Sequence, residues 1–403
     1  MNSILDTYKL HKFFFGLLLL VTILDPGNDI FKLKEVFFVL TVLIGLVNCA
    51  RFISLNVLVG SIFFSLVFPI LWTFLGYLFN YNFSPEYAVM YLKSIAFFLL
   101  INVSLDERID FSKQFAISTM VLIPITIFIF FIVDEFQVAD VFFLKFEKTF
   151  LISKRAFGGF VFNPVVFYKT SPLLIFGLSY VCQKNRFKYS IINFMAIIAC
   201  IVTMIISGTR ANMAGSFIIV IYFFYRNYVS ISKIRKSVFW SFFAVISFLF
   251  LVPFLSQYVF DVNEQSNETK LSIINDYFSL WSNNFLSIFF GQGLGGGFDT
   301  VDRGISYLAE PTYFEIIRMF GLIGGIIFFF FLIMPLFLFL NSKSSSLFER
   351  NYYMLVAYII YILIEFPSNP LLLSSTGMVV MVVIYSVSIK VFSFKHQQIN
   401  INI

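Results

Sequence analysis

The residues able to do chemistry in this chain are few, and they sit in polar segments between apolar runs. Ser207-Gly208-Thr209-Arg210 is a tight connection between two such runs and places a permanent guanidinium at their boundary. An arginine there suits a phosphate, because its planar fork donates two parallel hydrogen bonds, and it equally suits snorkelling to lipid headgroups. Lys154 and Arg155 form a second basic site, readable as an anion contact or as ordinary solvated loop residues. The stretch Glu310-Pro311-Thr312-Tyr313-Phe314-Glu315-Ile316-Ile317-Arg318 gathers the remaining candidates. Pro311 fits the first turn of a helix, and Glu315 and Arg318, three apart, share one face of it as a local ion pair or as parts of a charged site. Glu310 precedes that helix. It is either a carboxylate favoured by the helix's positive end or a general base.

Other chemistries are poorly supported. Gly291-Gln292-Gly293-Leu294-Gly295-Gly296 is a formal match to a dinucleotide fingerprint, but no βαβ pattern surrounds it. The backbone N–H groups around Gly293 are expected either to approach an anion or to form a flexible turn. The two histidines, His11 and His396, lie near the termini, and Cys49, Cys182 and Cys200 have no metal-ligand spacing. With no Asp-x-Asp pair either, the expectation is no metal, no cofactor and no disulfide.

The elements that position these residues are membrane helices. The chain is 59% hydrophobic and 12% charged, whereas a soluble domain carries about a quarter charged residues. The pattern predicts an all-α polytopic membrane protein, one transmembrane domain over residues 1–403 with about 10–12 spans. The expected spans are Phe13–Leu24, Val36–Val47, Leu55–Phe79, Ala88–Val103, Phe115–Val133, Val165–Cys182, Tyr189–Ile206, Ala211–Tyr225, Val238–Leu255, Tyr313–Leu340, Tyr352–Phe366 and Leu371–Val387. The net charge of +6 belongs to the short loops on one side, which places both termini in the cytoplasm and makes nucleic acid an unneeded partner. Two long segments, 134–164 and 256–312, then face outward. Within the second, Leu271–Phe290 spaces Leu271, Ile274, Phe278, Trp281 and Phe285 as an amphipathic interfacial helix.

In order and topology these motifs resemble the O-antigen polymerase and ligase family, the Wzy-type polymerases above all. Ser207 to Arg210 is similar to its Ser-x-Ser/Thr-Arg signature, Gly291-Gln292-Gly293-Leu294-Gly295 to its glycine turn, and Tyr313 to Gly324 to its Tyr…Gly-Leu-Ile-Gly helix. Many members, ligases especially, carry a histidine where Glu310 stands, which favours a polymerase. The resemblance implies a GT-C-like, inverting, metal-independent glycosyltransferase at the outer face of the bacterial cytoplasmic membrane. Its donor and acceptor would be undecaprenyl-pyrophosphate-linked glycans, and a flippase and a chain-length regulator would work beside it. On that reading Arg210, Arg303 and Arg318 stabilise the departing pyrophosphate, and Glu310 is the base with Glu315 second. Lys154, Arg155, Tyr313 and Gly293 would then line the substrate. A lipid-linked oligosaccharide flippase is the alternative, but the in-span charges Lys93, Lys169 and Glu365 give no matched pair in two related halves. A membrane acyltransferase is weaker still for want of an outer histidine.

Overall fold

The computed structural model describes residues 2–49, 54–79, 82–106, 109–135, 146, 148–157, 160–187, 190–228, 265–301, 304–342, 346–368 and 373–401. Seven helices among them are long and apolar enough to cross a bilayer: α1 (Asn2–Leu24), α3 (Leu55–Phe79), α4 (Pro85–Ser104), α5 (Phe111–Glu135), α11 (Thr312–Leu340), α12 (Ser346–Ile360, continuing to Glu365) and α13 (Ser375–Ile401). They define a multi-pass membrane protein. The expected spans at Val36, Tyr189 and Ala211 are the shorter or more polar helices α2 (Lys34–Cys49), α7 (Ile191–Ile206) and α8 (Arg210–Tyr228). The span expected at Val238–Leu255 lies outside the described residues, as does Arg303.

Residues 1–119 and 272–403 form one compact unit and 120–271 a second. In the first unit α13 is the most buried span, and polar side chains stitch its neighbourhood by capturing backbone carbonyls. Ser386 Oγ donates to Ser104 O at 2.6 Å, Tyr385 Oη to Phe331 O at 2.6 Å, and Tyr358 Oη to Leu332 O at 2.8 Å. Buried hydroxyls without such partners would cost several kcal/mol in a lipid setting, on the order of 2–7 each. Two helices contain a π turn, Phe63–Val67 and Tyr361–Glu365, and each is followed within two residues by a proline, Pro69 and Pro367. A proline ring collides with the carbonyl four residues back, here Ser65 and Leu363, and the wider turn holding that carbonyl relieves the collision.

The second unit corrects the expected span Val165–Cys182. Its first part is the strand β2 (Phe160–Tyr168), paired antiparallel with β1 (Phe150–Phe157), and the helix α6 starts only at Leu174 and runs to Phe187. The run Phe160-Val-Phe-Asn-Pro-Val-Val-Phe-Tyr168 is aromatic and β-branched, which suits a pleated surface, and a short apolar run of this kind does not betray its type by periodicity. The segment 134–164 therefore carries a hairpin.

The segment expected as one interfacial helix forms two helices, α9 (Gln265–Asn283) and α10 (Phe285–Phe290), broken at Asn284. Ile273, Tyr277 and Trp281 pack with Phe298, Ala309 and Phe314, while Leu271, Phe278 and Phe285 stay exposed.

Candidate functional site

In the first unit the site is built on a break in α11. Gly321 sits inside that helix at φ 64°, ψ −176°, a conformation that only glycine adopts without strain. The break frees the carbonyls of Arg318 and Met319, which accept from Gln292 N at 2.7 Å and Gly293 N at 2.9 Å. The glycine turn is thereby seated about 10 Å along α11 from Thr312, at about 1.5 Å per residue. Non-helical backbone at such depth is tolerated only where protein buries it, and residues 291–298 are buried apart from half-buried Gln292. Trp72 of α3 clamps the arrangement by donating from Nε1 to both Phe290 O (3.0 Å) and Phe320 O (2.8 Å).

Glycine is required here for proximity as well as for dihedral freedom. A Cβ at Gly293 (φ 79°) would stand 2.3 Å from Trp72 O, and one at Gly321 would stand 2.2 Å from Phe289 O. Gly293→Ala is accordingly expected to cost about 2–4 kcal/mol, a positive-φ term plus overpacking against backbone. Gly304→Ala, with φ 68° but open space around its Cα, is expected to cost about 1–2 kcal/mol. Apparent melting midpoints of the two variants in detergent check this: equal losses would remove close packing from the argument.

Over the turn lies Arg318, fully buried, with every guanidinium N–H engaged. Nε donates to Glu315 Oε2 (2.7 Å) and Nη2 to Glu315 Oε1 (2.6 Å), a bidentate pair. Nη1 donates to Gln292 Oε1 (2.9 Å) and Gly296 O (2.6 Å), and the last Nη2 proton points to Tyr307 O at 3.4 Å. Phe298 lies 4.9 Å beneath the guanidinium carbon, and Tyr277 stacks on Phe298 with centroids 4.9 Å apart. Tyr277 Oη also donates to Glu315 Oε2 at 2.7 Å. Burial, with the Glu315 charge beside it, pushes the Tyr277 phenol well above its ordinary pKa, so it remains a donor.

This geometry gives three of the expected ligand contacts partners within the chain. Arg318 and Glu315 spend their hydrogen-bonding capacity on each other and on the chain, and the N–H groups of Gln292 and Gly293 on α11. The i,i+3 ion pair is therefore a positioning device that ties the glycine turn to the loop entering α11. Tyr313 is likewise a helix-to-helix tie: its hydroxyl donates to Ile362 O, and its ring packs on Phe366 at 4.9 Å. What the network holds in place is the segment 307–310. Tyr307 O also accepts from Tyr91 Oη at 3.1 Å, and the Tyr307 ring stacks on Tyr87 at 4.5 Å and 12°. Three residues on, Glu310 is half-buried and outside the ion pair.

In the second unit α7 ends at Ile206 and Gly208 turns the chain at φ 62°. Ser207 Oγ donates to Met204 O (2.6 Å), and Asn212 Nδ2 donates to Ser207 Oγ (2.7 Å) and Ser171 Oγ (2.8 Å). The turn is thus fixed from both sides, and Arg210, half-buried, opens α8. Gly208 lies directly against Val165 of β2, where a Cβ would be 2.5 Å from Cγ1. Val165 pairs with Ser153 across the hairpin and Phe162 with Arg155, so Lys154 on β1 faces two residues of β2, Asn163 and Pro164, and the extra residue of the bulge lies on β2. A bulge suits a proline, which cannot donate to the ladder. Through Val165 the hairpin that carries Lys154 and Arg155 is seated on the turn that precedes Arg210.

Several of these partners escape a reading by sequence alone. Trp72, Tyr91, Tyr277 and Tyr307 lie far from Arg318 along the chain, and only the left-handed glycines hint that backbones meet there. No metal-binding group of three or more His, Cys, Asp or Glu residues occurs among the described residues. Comparison with protein families, curated proteins and solved structures finds no match to this chain.

Proposed function

We propose that the chain is a membrane glycosyltransferase that polymerises lipid-linked oligosaccharide repeat units. The growing glycan, carried on undecaprenyl pyrophosphate, is transferred to the non-reducing end of a fresh lipid-linked unit at the outer face of the cytoplasmic membrane. The observation that carries the reading is the seating of the hairpin that bears Lys154 and Arg155 on the turn that opens α8 at Arg210. Arg210, first residue of a 19-residue helix and so at its positive end, suits the charge that develops on a departing diphosphate. Glu310, held at the entry to α11 and half-exposed, is the carboxylate assigned to take the proton from the attacking hydroxyl. The C1–O bond to pyrophosphate breaks as the new glycosidic bond forms, with inversion at that carbon. Because pyrophosphate is a good leaving group, the reaction needs neither a metal nor a strong acid. Arg318 and Glu315 enter only by positioning the loop.

The test is polymer formation by purified protein from purified lipid-linked repeat units. Wild-type protein is expected to make a ladder, and its failure to do so would sink the reading. Arg210→Lys keeps the charge and loses the bidentate fork. It is expected to lower kcat/KM by about tenfold to a hundredfold, the worth of one charge-assisted hydrogen bond of about 1.5–3 kcal/mol. Wild-type turnover by Arg210→Lys at normal expression would leave that residue as a lipid anchor.

A further inference from the structure

A cavity of about 210 Å³ opens in the first unit far from the Glu310 loop, where the start of α5 meets α12 and the later part of α13. Two cations and one carboxylate line it: Arg350, Lys390 and Asp110. The carboxylate is fully occupied. Its Oδ2 takes Arg350 Nη2 at 2.6 Å, and its Oδ1 takes the Ser112 hydroxyl at 2.7 Å and the Lys113 N–H at 3.1 Å. Burial alone would raise the Asp110 pKa, but the donors from Ser112, Lys113 and Arg350 outweigh it and hold it below the ordinary value, so it stays charged at neutral pH.

The two cations differ in kind. Arg350 is 64% exposed and stands at the rim. Lys390 lies deeper, with Nζ donating to the carbonyls of Asp106 (2.8 Å) and Ile109 (3.3 Å) over the Phe111 ring at 4.9 Å. Leu347, Val387 and Phe394 make the rest of the wall apolar. A cationic excess among the described lining residues of an apolar-walled cleft between helix ends matches an amphiphile with one negative charge. It does not match a fully hydrated anion, which would leave that wall uncovered. The basic loops assign this end of the bundle to the cytoplasm, where anionic lipid headgroups are available.

We propose that this cavity binds the phosphodiester headgroup of an anionic phospholipid of the inner leaflet. Arg350 meets the phosphate from the rim and Lys390 from the floor. Leu347 and Phe394 cover the glycerol and the first methylenes. The bound lipid fixes the ends of α5, α12 and α13 to one another at the leaflet. The inference stands apart from the glycan chemistry.

Native mass spectrometry of the full chain in detergent tests it, with phosphatidylglycerol, phosphatidylcholine and inorganic phosphate as separate probes. One phosphatidylglycerol is expected to be retained well above phosphatidylcholine. Arg350→Gln/Lys390→Gln is expected to weaken it by about thirtyfold, about 1 kcal/mol for each of the two cations at a membrane surface. Lys9→Gln, an exposed lysine on the same expected side, should retain wild-type binding. Should the double variant fail to elute as folded protein, Arg350→Gln alone serves, because that side chain is mostly exposed. Equal retention of the two lipids, or unchanged binding by the variant, overturns the proposal. Displacement of phosphatidylglycerol by millimolar phosphate overturns it in favour of a free-phosphate site.

Discussion

Arg318→Met is expected to lower the stability of the protein by about 3–5 kcal/mol, the cost of leaving one partner of a buried ion pair alone. The guanidinium is completely buried and is the common donor to Glu315, Gln292, Gly296 and Tyr307. Its removal strands a carboxylate that keeps only the Tyr277 hydroxyl. Methionine fills much of the volume over Phe298, so the loss reports on electrostatics and hydrogen bonding more than on a cavity. Arg318→Met/Glu315→Gln should recover part of the deficit, with a coupling of about 0.5–3 kcal/mol, because no unpaired charge then remains. Apparent melting midpoints in detergent give the comparison. If the double variant melts as low as the sum of the singles, the two residues do not act as a pair.

The ion pair shows how far local spacing reaches. Three residues apart on one helix face, Glu315 and Arg318 were bound to meet. Nothing in the sequence says that they lie beneath a loop drawn in from residue 292, because their partners arrive from α4, α9 and the glycine turn. The glycine turn itself is legible only as a place where φ becomes positive. Whether its N–H groups face an anion or a carbonyl depends on Gly321, whose break in α11 supplies the carbonyls.

Helix positions were legible where hydropathy alone decides. The expected Leu55–Phe79 coincides with α3, and Tyr313–Leu340 differs by one residue from α11. Hydropathy fails at Val165–Tyr168, where an apolar stretch too short for period analysis is a strand. The link from the Lys154–Arg155 strand to the turn before Arg210 runs through that unrecognised hairpin, since Val165, which lies against Gly208, is also the partner of Ser153.

Glu310→Gln is expected to lower kcat in the polymer assay by about 10²–10⁴, the usual loss when a general base is replaced by an isostere that cannot take a proton. The competing role is electrostatic support of the helix that follows, worth about 0.3–1 kcal/mol at a partly exposed terminus. The structure weakens that alternative, since the cap position of α11 is Pro311, with no side-chain cap, and the acidic residue of its first turn is Glu315, already committed to Arg318. The two roles separate in the readout. A base acts on kcat with a melting midpoint near wild type. A helix-end role would lower the midpoint and leave kcat nearly intact. Glu310→Asp, which keeps a base but withdraws it by one methylene, should fall between wild type and Glu310→Gln. Near-normal turnover by Glu310→Gln would remove the residue from the chemistry. The proton would then have to pass to the substrate's own pyrophosphate, because Glu315 is already held by Arg318 and Tyr277.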